Sequence, residues 1–529
     1  MPRLKTTPEQ RSGYRMERNR QEDAFNQRDT RGLRSPFASQ PNAMALGMGI
    51  VAIIGIIAWL LSVVMPKSGL GDATYVATSD GGQYVKYNDV WHPVTNPVSA
   101  RLITGEAEPK SVDQDALKDV IRGLPMGIAS APEQITATDV EKADTTVCSI
   151  ELGTSPTVQS SDLKVETALL AQDRPDTKDL NKESASLVTV ADKSTYWLLF
   201  DGKRAEVSMS NDTIRAALGI TKEVEDNATV VSPKLLNAIP AQPEISVPNL
   251  KNMGQQSSGV QGYEVGTVFA QEMPNEPSTF YVVTDKGIQP ISAVTGRILA
   301  TSGSEMVKNP SVSIINNATR DDEITQENYP EQLPEFVDDE VVCATWLKES
   351  NTSKSLVTLS TAKSLNIKDE DVEGGVISRK DLSTTITGGD GPSADRWYPG
   401  HEGRGWFYRT TDLTKESITE GPVWYVSADG VRYPIGGDSD NEDVNTIVEQ
   451  LGLKDINPVL VPWQYMSLLP EGQTLSPKNA LVLHETIDPP SNVLTPKEEE
   501  ENNDDTGSEE NTGQKEGTPD AATNDEVEE

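Results

Sequence analysis

The chain has 529 residues, more than one compact core usually holds, so several sub-domains are expected. A formal net charge of −36 repels nucleic-acid phosphates and excludes that partner class. Two cysteines, Cys148 and Cys343, are too few for a metal cluster or a disulfide-rich scaffold, and suffice for one bridge only outside a reducing compartment.

Residues 1–43 carry nine Lys and Arg against five acids. Pro8, suited to a first helical turn, and Ser35-Pro36, which ends the pattern, predict a basic helix from about Pro8 to Arg31. It reads either as an orientation signal against anionic lipid or as a docking helix for a cytoplasmic partner. From Met44 to Met65, 22 residues carry no charge, and at about 1.5 Å per residue they reach roughly 33 Å, enough for a transmembrane helix. A cleaved signal peptide would be shorter and nearer the start, and Met65-Pro66-Lys67 is a poor cleavage site. The stretch from Lys67 to Asp80 has one Lys and two Asp, so the positive-inside rule keeps the N-terminus in the cytoplasm and places the bulk outside.

Four eleven-residue windows in that bulk align without gaps: Tyr84 to Val94, Trp197 to Val207, Tyr281 to Ile291 and Tyr425 to Ile435. Their fifth and sixth residues are Asn88-Asp89, Asp201-Gly202, Asp285-Lys286 and Asp429-Gly430, pairs that tolerate the positive φ of a two-residue hairpin turn. Three windows place a proline at position ten (Pro93, Pro290, Pro434), where it suits an edge strand. A short helical stretch follows each: Val98 to Ile103, Ile214 to Leu218, Thr295 to Leu299 and Ile447 to Leu451. Two copies continue into a proline-bounded segment, Ser232-Pro233 to Pro240 and Val461-Pro462 to Pro470. A single such pattern is only a generic hairpin; four aligned copies argue a repeat, unevenly spaced and so interleaved with other material.

The interleaved material holds the cysteines, each in a β-like run, Asp144 to Ile150 and Glu340 to Trp346. A Cys148–Cys343 bridge would tie sequence-distant halves of a sheet, and unpaired buried thiols are the alternative; the external address favours the bridge. Closing so long a loop stabilises by roughly 5 kcal/mol on the chain-entropy argument. From Pro489 onward the chain has no aromatic residue and acids predominate, the composition of a disordered tail.

Catalytic motifs are missing. No G-x-x-x-x-G-K-[ST] or G-x-S-x-G occurs, and the only Gly-Lys pair, Gly202-Lys203, lies in a predicted hairpin turn. His92, His401 and His484 stand alone, without metal-ligand spacing, so no metal or cofactor is expected. Asp438, Asp440, Glu442 and Glu449 fall in a calcium-loop register, but Asp443 occupies the position that needs glycine, and a solvated loop is the expectation.

Taken together, Ser12-Gly13-Tyr14-Arg15, Arg28-Asp29, the single anchor, Tyr84-Val85 through Trp91-His92-Pro93-Val94 and Ser99-Ala100-Arg101-Leu102-Ile103 resemble the EccB family of type VII (ESX) secretion systems, over residues 3 to about 488. The resemblance implies an elongated, mainly-β to α+β extracytoplasmic region in which four hairpin-helix repeat domains surround a central β-sheet domain held by one disulfide, Cys148–Cys343. The expected divisions are a cytoplasmic basic helix (1–43), a transmembrane helix (44–65), repeat 1 (66–136), the central sheet domain's first part (137–190), repeat 2 (191–255), repeat 3 (256–335), the central sheet domain's second part (336–415), repeat 4 (416–488) and the acidic tail (489–529). It further implies a structural subunit of an inner-membrane complex, with an EccC-type FtsK/SpoIIIE ATPase, EccD, EccE and other EccB copies as partners, and contact with peptidoglycan through folds similar to cell-wall-binding modules. Some members are described as ATPases; ATP is a cofactor only on that alternative, and no phosphate loop here carries it.

Overall fold

The structure is a computed structural model that describes residues 7–27, 40–64, 69–140, 144–152, 164–171, 175–273, 276–348, 355–365, 377–378, 393–400, 404–413, 421–437 and 443–485. The chain divides into Met1–Glu485 and Thr486–Glu529, and only the first unit contains described residues, so the acidic tail lies outside them. Helix α1 covers Pro8–Gln27, and residues 28–31 of the predicted basic helix lie outside the described ones. Thr7 caps α1, its hydroxyl accepting from the Gln10 amide at 3.4 Å. Helix α2 covers Gln40–Val64, with Leu46, Ile50, Val51, Ile53, Ile54 and Ile57 exposed. Among the described residues no helix is long and apolar enough to cross a membrane, the side chains of α2 being described only over residues 45–57.

The first module contains β1 (Tyr75–Thr78), β2 (Gln83–Tyr87), β3 (Val90–Pro93), α3 (Pro97–Thr104) and β4 (Lys110–Val112), in the sheet order β3-β2-β1-β4 with β4 parallel to β1. Next come β5 (Thr145–Leu152), β6 (Lys164–Ala171) and β7 (Lys178–Asp179). The second module follows with β8 (Ser184–Thr189), β9 (Tyr196–Phe200), β10 (Lys203–Val207), α4 (Asp212–Leu218), α5 (Lys222–Asp226), β11 (Thr229–Val230), α6 (Pro233–Asn237) and β12 (Ala241–Gln242). Its path, β11-β8-β9-β10-β12, repeats the first with one strand added, and a sixth strand, Glu335–Phe336, also pairs with β8. The third has β13 (Val268–Met273), β14 (Glu276–Val283), β15 (Ile288–Ile291), α7 (Ala293–Thr301), β16 (Met306–Lys308) and α8 (Val312–Asn317), ordered β15-β14-β13-β16. After β17 (Glu335–Phe336), β18 (Val341–Lys348), β19 (Ser355–Ala362), β20 (Ile377–Ser378) and β21 (Arg396–Tyr398) comes the fourth module. It holds β22 (Trp406–Thr411), β23 (Val423–Val426), β24 (Arg432–Pro434), α9 (Val444–Gln450), β25 (Val459–Pro462), α10 (Trp463–Met466) and α11 (Pro477–Ala480), ordered β24-β23-β22-β25.

Each aligned window is the second and third strand of such a module. In each, the crossover helix starts from a polar cap soon after the third strand: Asn96, Asn211, Ser292 and Asp443 each accept a backbone N–H from the first turn. Window position eight also has a constant role. Trp91, Arg204, Ile288 and Arg432 each donate their backbone N–H to a returning segment, at Ile121, Pro240, Thr319 and Pro470. That segment runs parallel to the third strand and covers the edge that would otherwise be left open.

The turns differ from one another. Asn88, Asp89, Asp201 and Gly202 all have positive φ, as a two-residue hairpin with matching twist requires. Asp285 and Lys286 do not; Thr284 to Gly287 forms a four-residue loop closed by Thr284 N donating to Gly287 O at 2.8 Å. In the hairpin turn of the fourth module only Gly430 is left-handed, within a five-residue loop from Ser427 to Val431. The extra loop residues supply reversal without two consecutive left-handed positions, so the gap-free alignment placed a two-residue turn where longer ones form.

Seven strands make the central sheet, in the order β20-β21-β6-β5-β18-β19-β7. Three boundaries differ from the sequence divisions. Strand β8 (Ser184–Thr189), placed in 137–190 with the central sheet, pairs with β9 in the second module. Strand β22 (Trp406–Thr411), placed in 336–415, pairs with β23 and β25 in the fourth. Thr138 donates to Gly405 O, beside β22. For β8 and β22, a module's own first strand precedes its hairpin, where no turn signal marks it.

The core follows a crossed arrangement. Val98 and Leu102 of module 1 pack with Phe407, Tyr425 and Leu451 of module 4. Ile214 and Ala217 of module 2 pack with Val294 and Ile298 of module 3. Leu235 and Leu236 of module 2, and Tyr408, Trp424 and Tyr465 of module 4, join Val147 and Trp346 of the central sheet in the largest cluster. Strand β7, from the chain's first half, pairs with β19, and β21, from its second half, pairs with β6. The two halves are interleaved.

Candidate functional site

Cys148 on β5 and Cys343 on β18 are opposite residues of an antiparallel ladder and form a disulfide, both fully buried. Neighbouring Thr146 and Thr345 share a hydroxyl hydrogen bond at 3.0 Å across the same strands. The site is structural: the buried cluster around it is made of Ala168, Leu170, Val341 and Tyr398.

The histidines are structural too. His92, buried, contacts Leu124 O through Nδ1 at 2.9 Å, and His484 contacts Gly127 O through Nε2 at 2.7 Å, so both hold the returning segment of module 1. His401 lies outside the described residues, as do Asp438, Asp440 and Glu442 of the calcium register. Glu449, its last member, pairs with Lys454 at 2.6 Å. Among the described residues no group of three or more His, Cys, Asp or Glu could hold a metal ion.

The hairpin turns do not converge on one site, but one of them borders a groove of about 1000 Å³ where modules 2 and 4 meet the central sheet. Asp201, Gly202, Lys203 and Arg204 enter it from the β9–β10 hairpin. Gly202 is required there, because φ is +71° and a Cβ would collide with the Val357 carbonyl oxygen. The sole Gly-Lys pair of the chain therefore sits in a tight turn against β19 and not between a strand and a helix N-terminus, where a phosphate cradle would be. Across the groove lie Leu356 and Val357 of β19 and Trp463, Gln464 and Ser467 around α10. Arg432 lies 4.8 Å from the Trp463 ring and 5.6 Å from that of Trp424. It is fixed by Glu471 at 2.7 Å and by Met466 O at 2.9 Å. The sequence reading missed this groove, since its walls come from three regions that no periodicity joins.

With the geometry in place, a family profile described as "Type VII secretion system ESX-1, transport TM domain B" matches residues 3–489. The chain belongs to the EccB family. The ESX-3 secretion system ATPase EccB3 of Mycobacterium tuberculosis (strain ATCC 25618 / H37Rv) is 28% identical over 524 residues, covering 93% of this chain and 92% of that protein. Among solved structures, the EccB3 dimer from the ESX-3 core complex aligns with TM-score 0.63 at 27% identity, over 77% of this chain and all of that one. A chain of the intact ESX-5 inner membrane complex aligns with TM-score 0.65 at 23% identity, over 94% of this chain and 99% of that one, a likeness of fold. The mixed, mainly-β architecture described above is the EccB fold.

Proposed function

We propose that this chain is a structural subunit of a type VII secretion membrane core complex, forming its extracytoplasmic part and supporting export across the inner membrane. The observation that carries the reading is the family match over residues 3–489, nearly the whole chain. Helix α2 is its single anchor, supported by the uncharged run from Met44 to Met65 and by the basic residues before it. The N-terminal basic helix faces the cytoplasm, the bulk faces outward, and other copies of the chain, an EccC-type ATPase, EccD and EccE assemble with it. Folded modules with covered strand edges and a buried disulfide suit a scaffold facing an oxidising compartment. The modules contact peptidoglycan on the same reading.

Relatives carry the word ATPase in their names, which is the one observation favouring hydrolysis. Against it, the lone Gly-Lys pair is locked in a hairpin, so energy comes from the partner motor. Protease shaving of intact spheroplasts tests sidedness: the large C-terminal fragment is digested from outside. Its protection would overturn the proposal, as would ATP hydrolysis that survives rigorous purification and disappears on a point substitution in this chain.

A further inference from the structure

The groove between modules 2 and 4 gathers charged, polar and aromatic side chains that the scaffold reading leaves unused. Arg204 is partly buried, and its side chain's only hydrogen bond among the described residues runs from Nε to Ile239 O at 3.3 Å. Its terminal guanidinium nitrogens have no hydrogen-bond acceptor among the described residues, and burial pushes its pKa below the ordinary arginine value against the opposing charge of Glu206. A partly desolvated guanidinium with donors to spare favours an anion that accepts from them. Lys203 stands beside it, a second cation without an ion pair among the described residues, in a chain of net charge −36. Across the groove, Gln464 Oε1 is buried without a hydrogen-bond partner.

Two further features restrict the ligand class. Trp463 is 43% exposed, yet its ring is held by the pinned Arg432, so it is a preorganised apolar platform, extended by Leu356 at 62% exposure. The groove also contains a free sheet edge. Strand β12 is outermost in its sheet and parallel to β10, with Arg204 N donating to Pro240 O. In a parallel ladder the alternate residue, Ala241, then turns its own N–H and C=O away from β10, and Ala241 lines the groove. A nucleotide would use the cations and the indole but leave the main-chain edge at Ala241 idle, and Asp201 and Glu327 in the same lining oppose its several phosphate charges more than a single carboxylate.

We propose that this groove binds an extended polypeptide segment of a partner: main chain along Ala241, a carboxylate on Arg204 and Lys203, and an apolar side chain on Trp463. This is strand addition with two side-chain determinants. It goes beyond the scaffold reading and does not depend on it, because a scaffold needs no such edge and a groove can be filled whatever the assembly.

The test is to pan a phage-displayed heptapeptide library against the detergent-solubilised full chain. Enriched peptides should combine Asp or Glu with a large apolar residue. As synthetic peptides they should lose about tenfold or more in affinity against Arg204→Gln, Trp463→Ala and Ala241→Pro, one charge-assisted contact or edge bond each. Ala241→Pro removes the outward N–H without removing the Arg204 N to Pro240 O bond, so an unchanged melting temperature should accompany the loss; if the ring's constraint on the backbone makes that variant melt early, Arg204→Gln and backbone N-methylation of the peptide read the same interaction. Failure to enrich any peptide, or equal binding to parent and variants, overturns the proposal. Binding of ATPγS that depends on Arg204 and Trp463, without peptide enrichment, would overturn it in favour of a nucleotide site.

Discussion

Cys148 and Cys343 stand directly opposite each other on neighbouring antiparallel strands, each on the first strand of a hairpin that follows one module and precedes another. On either side the pattern repeats: module, hairpin with cysteine, module. Modules 1 and 3 place an arginine of the returning segment over the window's first tyrosine, Arg122 over Tyr84 at 5.7 Å and Arg320 over Tyr281 at 5.0 Å. Modules 2 and 4 instead carry arginine at window position eight, Arg204 and Arg432, and alone have the proline-bounded helix. The chain therefore reads as two similar halves, and the exchange of β7 and β21 between them, with module 1 on module 4 and module 2 on module 3, gives the interleaving of a swapped dimer within one polypeptide.

The disulfide should matter through the unfolded chain. It closes a loop with a sequence separation of 195, for which chain entropy gives roughly 5 kcal/mol as an upper estimate. Both sulfurs are buried, so dithiothreitol should act on the native protein only as fast as it unfolds. A Cys148→Ser/Cys343→Ser protein should unfold at markedly lower denaturant with the same sheet content by circular dichroism. Equal midpoints for oxidised and doubly substituted protein would show that the interleaved β-ladder alone closes the loop.

Gly123 and Gly472 occupy the same place in modules 1 and 4, on the returning segment beside window position nine. A Cβ at Gly123 would meet the His92 ring, and one at Gly472 the Tyr433 ring. Alanine at either should cost about 1–3 kcal/mol through overpacking. Gly436 has an unremarkable φ and nothing within 4 Å of its Cβ position, so Gly436→Ala should be neutral or slightly stabilising. Thermal denaturation of the three variants checks the contrast; equal melting points would mean the ring contacts yield freely.

The hairpins were legible because their signal is local. Asn88-Asp89 and Asp201-Gly202 announce a reversal, and the aromatic and β-branched residues that flank them announce strands. The first strands of modules 2 and 4 were not legible, because β8 and β22 are buried along nearly their whole length and show no alternation; β4 and β16, the fourth strands of modules 1 and 3, have three residues each, too few for any period. The boundaries slipped there for that reason. The bridge was readable only as an option from compartment and strand-like context, since pairing depends on a register 195 residues apart. The groove was unreadable, because Arg204, Ala241, Leu356 and Trp463 meet only once three sheets have packed. The role of window position eight was present in the alignment but carried no conserved residue type, only a conserved backbone bond.

Tyr433 makes the fold sensitive to alkali. Burial, then the Asp429 charge and Tyr425, push its pKa up to about 12 from an ordinary value near 10. The folded state thus favours the neutral phenol: this contribution is complete below pH 10 and is lost as pH rises through 12, since the unfolded chain then binds fewer protons than the folded one. Two pKa units correspond to about 2.7 kcal/mol. Tyr408 and Tyr465, fully buried in the cluster that joins module 4 to the central sheet, are shifted upward by burial as well and steepen the same transition. The expected outcome is a cooperative loss of near-ultraviolet circular dichroism above about pH 11, with tyrosinate absorbance at 295 nm rising in the same step. Tyr433→Phe removes a hydroxyl that has no hydrogen-bond partner among the described residues, so it should keep neutral-pH stability and move the alkaline midpoint upward. If tyrosinate absorbance rises while the dichroism stays native, or the midpoint does not move in Tyr433→Phe, the Tyr433 hydroxyl is solvated and alkaline unfolding has another cause.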